Sequence, residues 1–206
     1  MTKIILARHT ETDWNQVRRI QGGGSNVPLN EKGLKQAELL AQRLKGEEIQ
    51  AIYSSPLKRT LDTANIIAGY HNLEVKPEPA FKEIHAGDYE GVAVADIGQR
   101  FSHILTAGQD GNMPRIPGGE SLPELQQRAW GAIRRLAAEH PDGQLLVVSH
   151  FFAILSVVCA VLDLPLSHLR RFRLATGSVT VIEVGDPIDR LLVFNESCFQ
   201  LDSQLY

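Results

Sequence analysis

The chain has 206 residues, which is enough for one α/β domain with a single core and leaves little room for a second domain. Apolar residues make up 43% and charged residues 22% of the chain, so we predict one globular domain over residues 1–206 rather than a disordered protein. The formal net charge of -3, without a long basic run, excludes a broad nucleic-acid-binding surface.

Five apolar runs are predicted to form strands. Runs 3–8, 50–54 and 145–150 are short and continuous, which is typical of strands that helices cover on both faces. Runs 179–184 and 190–194, joined by a Gly-Asp-Pro turn, predict two more strands. The fold class that this pattern predicts is a three-layer α/β/α sandwich with a mostly parallel central sheet.

Three helices are predicted between these strands. Asn30 is placed to cap the first, which we expect to end at Gly46. The second follows Pro56, and Gly69 is its expected C-terminal stop. Ser121 begins a Ser-x-x-Glu capping pair at the start of the third helix.

The longest apolar stretch, residues 151–162, predicts a buried helix. It falls well short of the roughly 20 residues that span a bilayer, so we expect no membrane partner. The N-terminal apolar run is too short for a signal peptide, and Cys159 and Cys198 form no CxxC motif. These features favour a reducing, cytoplasmic location.

Residues 85–119 lack clean periodicity and are rich in glycine and proline. A segment of this length without regular structure inside a small domain is usually functional. We therefore predict that it is an inserted lid that forms a wall over the functional site.

Polar residues end three of the predicted strands. Arg8 and His9 follow the first strand, two serines at 54–55 follow the second, and His150 ends the third. Ligands of open α/β sheets bind beyond the carboxyl ends of the strands, so these side chains are candidates for one site. A single histidine is usually structural or solvent-exposed, and the convergence of two is what favours a functional site.

Residues 6–15 (LARHTETDWN) resemble the L-x-R-H-G-E-T-x-W-N signature of the histidine phosphatase superfamily, which includes the cofactor-dependent phosphoglycerate mutases. The resemblance extends over most of the chain and implies the α/β/α fold. Its further blocks are Gln21-Gly22, PLN at 28–30, SSPLKRT at 54–60, Glu83-Ile84, Glu90-Gly91, PGGES at 117–121 and VVSH at 147–150.

The resemblance implies a catalytic role for each of five residues. His9 is the expected nucleophile, because a neutral imidazole attacks phosphorus and forms a labile phosphoramidate. Arg8, Arg59 and His150 are expected to surround the phosphoryl oxygens and to supply the positive charge that a metal would otherwise bring. Glu83 is expected to act as general acid and then as general base. We predict neither a metal nor another cofactor.

Three residues are expected to bind the phosphate end of the substrate. These are Asn15, Gln21 and Gly22, although Asn15 also suits a turn and 21–22 a plain loop. His85 lies two residues after Glu83, and the sequence leaves its orientation open.

Two positions depart from the family pattern. Thr10 stands where glycine is usual, and Phe151 follows the second histidine, where glycine is also common. Phe151 would place bulk beside the phosphate unless its side chain turns away. These departures leave the choice of substrate open.

The predicted function is hydrolysis of a small phosphomonoester through a phosphohistidine. The predicted partner is a small phosphorylated metabolite, such as phosphoserine, α-ribazole phosphate or a sugar phosphate, and the chain is expected to be a monomer or homodimer. The 54–60 block and the tail 195–198 resemble metal-independent phosphoserine phosphatases. A mutase is the alternative, although mutases generally have more sequence between the counterparts of Arg59 and Glu83. A non-catalytic phosphoester-binding protein is the third hypothesis.

Overall fold

The computed structural model describes residues 1–97 and 114–197, and one six-stranded sheet organises them. The strands β1 to β6 are Thr2–Arg8, Ala51–Ser54, Val75–Pro77, Gln144–Ser149, Val179–Val184 and Arg190–Glu196. The helices α1 to α5 are Asp13–Gln16, Glu31–Leu44, Lys58–His71, Leu122–Glu139 and Phe151–Val161. Short 3₁₀ helices lie at Pro79–Phe81, Gly87–Tyr89 and Leu166–Arg171.

The strands are arranged in the order β3-β2-β4-β1-β5-β6. The first four in this order are parallel, whereas β5 is antiparallel to β1 and β6 is antiparallel to β5. The prediction of a mostly parallel central sheet is therefore confirmed. In the β1–β4 pair Arg8 lies opposite Ser149, so the carboxyl ends of the two central strands meet at one edge.

Helices pack on both faces of the sheet because side chains along each strand alternate between the faces. On one face Ile4 and Leu6 of β1 join buried residues of α4 and α5. On the other face Ile5 and Ala7 join buried residues of α2 and α3. The predicted three-layer α/β/α sandwich is thus confirmed.

Two of the predicted helix starts are confirmed at the level of their caps. The Asn30 side chain accepts a hydrogen bond from Gly33 N at 2.7 Å at the start of α2. Ser121 and Glu124 form a reciprocal capping box at the start of α4. Each cap satisfies backbone N–H groups that the first helical turn leaves unpaired.

The predicted end of α3 at Gly69 is wrong. The helix continues through Gly69 to His71, and Asn72 ends it in the left-handed conformation with φ of 52°. Asparagine tolerates this conformation better than most residues, so glycine is not required there. The sequence analysis also did not predict α1 or β3, which have four and three residues.

Helix α5 is the buried helix predicted over 151–162, and eight of its residues are buried. No helix in the described ranges, 1–97 and 114–197, is both long and apolar enough to cross a membrane.

The predicted lid is described at its two ends, and residues 98–113 lie outside the described residues. The two ends contact each other, because Asp88 N donates to Pro117 O at 3.0 Å and Glu120 N donates to His85 O at 2.9 Å. Gly87 has a φ of +49°, and a Cβ there would lie 2.1 Å from Pro117 O. Only glycine allows this approach of the two ends without a clash.

Candidate active site

The first candidate residues meet at the carboxyl edge of the sheet, as predicted. His9 follows β1 and His150 follows β4, and the His9 backbone N–H donates to Ser149 O at 2.9 Å. The centroids of the two imidazole rings are 5.2 Å apart. The parallel pairing of β1 with β4 therefore places both histidines in one site.

His9 is held as a neutral imidazole with one defined tautomer. Its side chain is buried, with the residue 3% exposed, and Nδ1 lies 2.8 Å from Thr10 O. A carbonyl oxygen only accepts hydrogen bonds, so Nδ1 carries the proton and Nε2 keeps its lone pair. Burial, reinforced by the charges of Arg59 and Arg8, lowers the pKa of His9 well below its usual value. The ring is thus ready to act as a nucleophile at neutral pH.

Thr10, which replaces the usual glycine, directs its hydroxyl toward α3. Its Oγ1 lies 3.3 Å from Thr63 Oγ1, and its backbone N–H donates to the same oxygen. Thr63 in turn donates to Arg59 O at 2.8 Å. The substitution therefore adds a bond between the His9 loop and α3.

His150 is also buried and neutral. Its Nε2 lies 2.8 Å from Ser55 Oγ, which also accepts a hydrogen bond from Leu57 N. Its Nδ1 has no partner in the described part of the chain. Burial and the nearby charges of Arg59, His9 and Arg8 lower the pKa of His150 well below its usual value.

Arg8 and Arg59 bring two guanidinium groups to the site. Arg59 is fully buried and donates to Ser25 O at 2.8 Å and to Gly22 O at 3.2 Å, while Arg8 donates to Leu174 O. Burial lowers the pKa of each to about 10, so both remain cationic at neutral pH. Within the described residues neither forms an ion pair with a carboxylate.

Four buried nitrogens of the predicted site residues have no hydrogen-bond partner among the described residues. Buried N–H groups in folded proteins are almost always paired, and three of the four nitrogens, on Arg8, Gln21 and Arg59, are donors that can bind a ligand that accepts hydrogen bonds. The four atoms are Arg8 Nε, Gln21 Nε2, Arg59 Nε and His150 Nδ1.

Gln21 and Gly22 contribute to this site in different ways. The Gln21 Oε1 atom lies 2.9 Å from the Thr12 hydroxyl, and this contact leaves the amide nitrogen unpaired. Gly22 contributes its carbonyl oxygen to Arg59, and a Cβ at Gly22 would lie 2.3 Å from Glu90 Oε1. Both residues line the same cavity as His9.

Glu90 is a positioning residue that the sequence analysis did not identify. Its carboxylate accepts hydrogen bonds from Gly22 N at 3.0 Å, Gly24 N at 2.9 Å and Ser25 Oγ at 2.7 Å. The same loop supplies the two carbonyl oxygens that hold Arg59. Glu90 belongs to a family block of the sequence, but its spacing alone did not indicate this contact.

Asn15 and His85 lie apart from the cavity that His9 lines. The Asn15 side chain completes the capping box of α1 with Thr12, which is the turn role that the sequence left open. His85 is exposed and lines a separate groove with residues of the lid ends, such as Gly119 and Arg115. Asn15 nevertheless shares the Thr12 hydroxyl with Gln21, and Glu83 also lines the groove of His85.

Glu83 lies in the same cavity as His9, with the residue 5% exposed. Its carboxyl oxygens accept from the backbone N–H groups of Ile84 at 2.9 Å, Phe152 at 3.1 Å and Ala153 at 3.2 Å. Burial raises the pKa of Glu83, although these bonds and the charges of Arg59 and Arg8 act in the opposite direction. A buried carboxyl group with a raised pKa suits a general acid.

Phe151 does not turn away from the site. Its ring lines the cavity and lies 5.2 Å from Arg8 Cζ, in contact with the face of the guanidinium. A cation over an aromatic face is stabilised by the quadrupole of the ring. The replacement of the usual glycine thus adds an apolar wall that also holds Arg8.

The described residues, with their gap at 98–113, include no group of three or more histidine, cysteine, aspartate or glutamate side chains that is arranged to hold a metal ion. The cavity has a volume of about 640 Å³. Ala86, Val94 and Ile97, in the first described part of the predicted lid, form part of its wall.

Comparisons with known proteins identify relatives over nearly the whole chain. The sequence profile of the histidine phosphatase superfamily (branch 1) matches residues 4–197. Phosphoserine phosphatase 1 of Hydrogenobacter thermophilus is 36% identical over 199 residues, which cover 96% of this chain and 94% of that protein. A probable phosphoglycerate mutase of Photorhabdus laumondii is 37% identical over 186 residues, which cover 89% of this chain and 85% of that protein.

A solved structure extends the similarity to the fold. A mutant phosphoserine phosphatase of Entamoeba histolytica, in complex with phosphoserine, is similar with a TM-score of 0.88 at 30% identity. The match covers 98% of this chain and 100% of that chain. These relatives support the predicted enzyme class, a phosphoric monoester hydrolase. The profile match over nearly the whole length shows that the chain belongs to the histidine phosphatase superfamily (branch 1).

Proposed function

We propose that this protein is a metal-independent phosphatase that hydrolyses a small phosphomonoester through a phosphohistidine at His9. The observation that carries the proposal is the set of four unpaired buried nitrogens, three of them N–H donors, beside a neutral His9. A phosphoryl group offers several negatively charged oxygens that accept such bonds. Arg8 and Arg59 supply two fixed positive charges for the same group.

The first step forms the phosphoenzyme. The lone pair on His9 Nε2 attacks phosphorus as the bond from phosphorus to the ester oxygen breaks. Glu83 gives its proton to the departing oxygen, so the alcohol leaves as a neutral molecule. Thr10 O holds the proton on Nδ1 throughout and keeps the attacking nitrogen oriented.

The second step releases inorganic phosphate. The Glu83 carboxylate now accepts a proton from a water molecule while the water oxygen attacks phosphorus. The bond from phosphorus to His9 Nε2 breaks, and the neutral imidazole is restored together with the protonated Glu83. The positive charges of Arg8 and Arg59 stabilise the charge on the phosphoryl oxygens in both steps.

The relatives supply candidate substrates. Phosphoserine is bound in the solved relative, and it is one of the substrates considered from the sequence. α-Ribazole phosphate and sugar phosphates remain the other candidates. The cytoplasmic location and the monomeric or homodimeric state stay predictions from the sequence.

A mutase is the second candidate, because one relative is a probable phosphoglycerate mutase. Incubation with 3-phosphoglycerate and a trace of 2,3-bisphosphoglycerate separates the two functions. A phosphatase releases inorganic phosphate from the mixture, whereas a mutase equilibrates the 3- and 2-phosphoglycerate isomers.

The proposal is tested by quenched single-turnover labelling with a ³²P-labelled phosphomonoester in the presence of EDTA. The wild-type protein is expected to form an acid-labile, base-stable phosphoenzyme and to release phosphate at the same rate with and without EDTA. His9→Ala is expected to lose both labelling and turnover. His85→Ala is the matched control, because this histidine is exposed and lies outside the cavity.

Two results would overturn the proposal. Labelling that persists in His9→Ala would place the nucleophile elsewhere. Turnover that EDTA abolishes and magnesium restores would show that the positive charge comes from a metal rather than from Arg8 and Arg59.

A further inference from the structure

The cavity outside the phosphate end has a wall made of apolar side chains. Three of them are aromatic, and the rings of Phe151 and Phe152 meet edge to face with centroids 5.1 Å apart. The apolar lining includes Phe151, Phe152, Phe172, Ile20, Val94 and Leu169. Such a wall favours contact with an apolar part of a ligand, because contact removes apolar surface from water.

Four exposed arginines line the same cavity. They are Arg18, Arg19, Arg170 and Arg173, which we call the arginine rim. Arg19 donates to Gly91 O at 2.6 Å, and none of the four forms an ion pair with a carboxylate of the described residues. The rim is therefore a second group of cations in addition to Arg8 and Arg59.

The described cavity lining contains a single carboxylate to balance this charge. That carboxylate is Glu83, which the proposed mechanism uses for proton transfer at the phosphate end. A positively charged substituent on the rest of the substrate would therefore meet several guanidinium groups and no further carboxylate of the described lining. An anionic substituent would meet planar donor groups that bind carboxylate and phosphate well.

The cavity is also large for a small phosphorylated acid. Its volume of about 640 Å³ lies in the range of pockets that enclose drug-sized ligands, roughly 300–1,000 Å³. A substrate that fills it must extend from the phosphate end along the aromatic wall to the arginine rim.

We propose that the substrate is a phosphomonoester whose alcohol part carries an apolar body, followed by a second anionic group that the arginine rim binds. The inference rests on the proposed phosphatase function and specifies its substrate class. The second anion is a carboxylate or a phosphate, and a substrate with a free ammonium group is disfavoured. Phosphoserine, which carries an ammonium group and no apolar body, is then a poor substrate of this chain.

The test uses four phenyl phosphates that differ only in the para substituent. The substituents are ethyl, carboxymethyl, phosphonomethyl and aminomethyl, so that one is neutral, two are anionic and one is cationic. We expect kcat/KM for an anionic ester to exceed that of the ethyl ester by about fivefold, the scale of an exposed charge pair, and that of the aminomethyl ester to fall by a similar factor. The faster of the two anionic esters identifies the preferred anion.

Matched variants assign the effect to the rim. The double variant Arg170→Gln/Arg173→Gln removes two of the four rim arginines, so the differences in kcat/KM among the four esters are expected to become smaller. Arg134→Gln is the control, since this exposed arginine lies on α4 and does not line the cavity. High salt, at which the Debye length falls to about 3 Å in 1 M, is expected to remove the same differences.

The outcomes separate this inference from the proposed function. Equal kcat/KM for all four esters, or a preference that is as large in the double variant as in the wild type, would overturn the arginine rim as an anion site and leave the phosphatase intact. Failure of the wild type to hydrolyse any of the four esters, without a phosphoenzyme, would count against the phosphatase itself.

A direct comparison of natural phosphoesters checks the role of the ammonium group. 3-Phosphoglycerate and phosphoserine differ in a hydroxyl or an ammonium group on the same carbon, so their ratio isolates that charge. We expect the wild type to prefer 3-phosphoglycerate and the double variant to show a smaller preference. A preference of the wild type for phosphoserine would overturn the inference.

Discussion

Arg59 and Arg128 both donate hydrogen bonds to backbone carbonyl groups, but they differ in how many of their N–H donors are paired within the protein. A guanidinium has five N–H donors. Arg128 uses all five: Nε and Nη2 bind the Glu120 carboxylate, Nη1 binds Ala80 O and Lys82 O, and Nη2 also binds Glu83 O. Arg59 uses two donors, and its Nε has no partner in the described ranges.

The difference separates an arginine whose donors are all paired within the protein from one that keeps an unpaired donor in the described ranges. Arg128 is neutralised by Glu120 and fixes the backbone of residues 80–83. Arg59 is fully buried without a carboxylate partner, which is unfavourable in the absence of a ligand. Glu83 lies between these two environments, because Arg128 binds its backbone carbonyl and the charge of Arg59 acts on its carboxyl group.

The largest effect is expected from a substitution of Glu83, which should change the rate of hydrolysis rather than the stability of the fold. Glu83→Gln removes the proton donor and keeps the size of the side chain. A general acid contributes about 10²–10⁴-fold when the leaving group is poor, so hydrolysis of an alkyl phosphate is expected to slow by that factor. With p-nitrophenyl phosphate the first release of nitrophenol is expected to stay fast, because that leaving group needs no proton.

Hydrolysis of the phosphoenzyme, the second step, provides a further test of the role of Glu83. Glu83→Gln also lacks the base that draws a proton from water, so phosphoenzyme is expected to accumulate from the aryl ester in a quenched time course. If the first step instead slows equally with both substrates, Glu83 is not the acid.

The comparison of the two arginines is sharpened by replacing each with methionine. Arg59→Met removes a donor that we propose binds the phosphate, so kcat/KM is expected to fall by about 10²–10³-fold, the scale for one donor to a transition-state oxyanion. Arg128→Met leaves several carbonyl groups and the Glu120 carboxylate unpaired, so the unfolding free energy is expected to fall by about 2–3 kcal/mol. Denaturant titration and steady-state kinetics measure the two effects.

Binding of inorganic phosphate supplies the control. A ligand that binds the folded state raises its stability, so phosphate is expected to raise the Tm of the wild type and of Arg128→Met. Arg59→Met is expected to show little of this increase. A phosphate-dependent Tm in Arg59→Met as large as that of the wild type would contradict the assignment of Arg59 to the phosphate site.

Much of the site was predictable because strand ends are readable in sequence. The apolar runs before His9 and His150 identified parallel strands, and parallel strands place their carboxyl ends at one edge. The family resemblance assigned Arg59 and Glu83, which lie on a helix and a loop whose approach to that edge depends on packing. Spacing alone would have left these two residues unassigned.

The residues that the sequence did not reveal act through contacts that are distant along the chain. Glu90 binds the loop at 22–25 from more than 60 positions away, and Arg128 binds Glu83 O from 45 positions away. The end of α3 was missed for a local reason, since Asn72 takes the left-handed conformation that glycine usually provides. The role of Asn15 could not be decided from the sequence, because the same amide side chain suits a helix cap and a contact with a ligand.

The most gradual effect expected is on stability at acid pH, where the two buried histidines contrast with the neutralised Arg128. The pKa values of His9 and His150 in the folded protein lie well below the ordinary value of 6.5. Below about pH 6.5 the unfolded chain therefore binds protons that the folded chain does not. The unfolding free energy is expected to fall with falling pH by about 1.4 kcal/mol per pH unit for each histidine, until the folded pKa values are reached.

The direction of this change in unfolding free energy, and the pH range in which it occurs, can both be tested. Glu83 has a raised pKa, so the folded protein binds this proton at a higher pH than the unfolded chain does. This contribution stabilises the folded protein, and so opposes the effect of the histidines, only as the pH falls through that raised value toward 4.5.

Urea unfolding of the wild type and of His9→Asn/His150→Asn between about pH 7 and pH 5.5 isolates the contribution of the histidines. The unfolding free energy of the double variant is expected to depend less on pH. Bound phosphate should also flatten the wild-type dependence, because a nearby anion raises both histidine pKa values. A wild-type stability that stays constant over this range would mean that the two rings accept protons in the folded state as readily as in the unfolded chain, and the neutral nucleophile inferred for His9 would then lose its electrostatic basis.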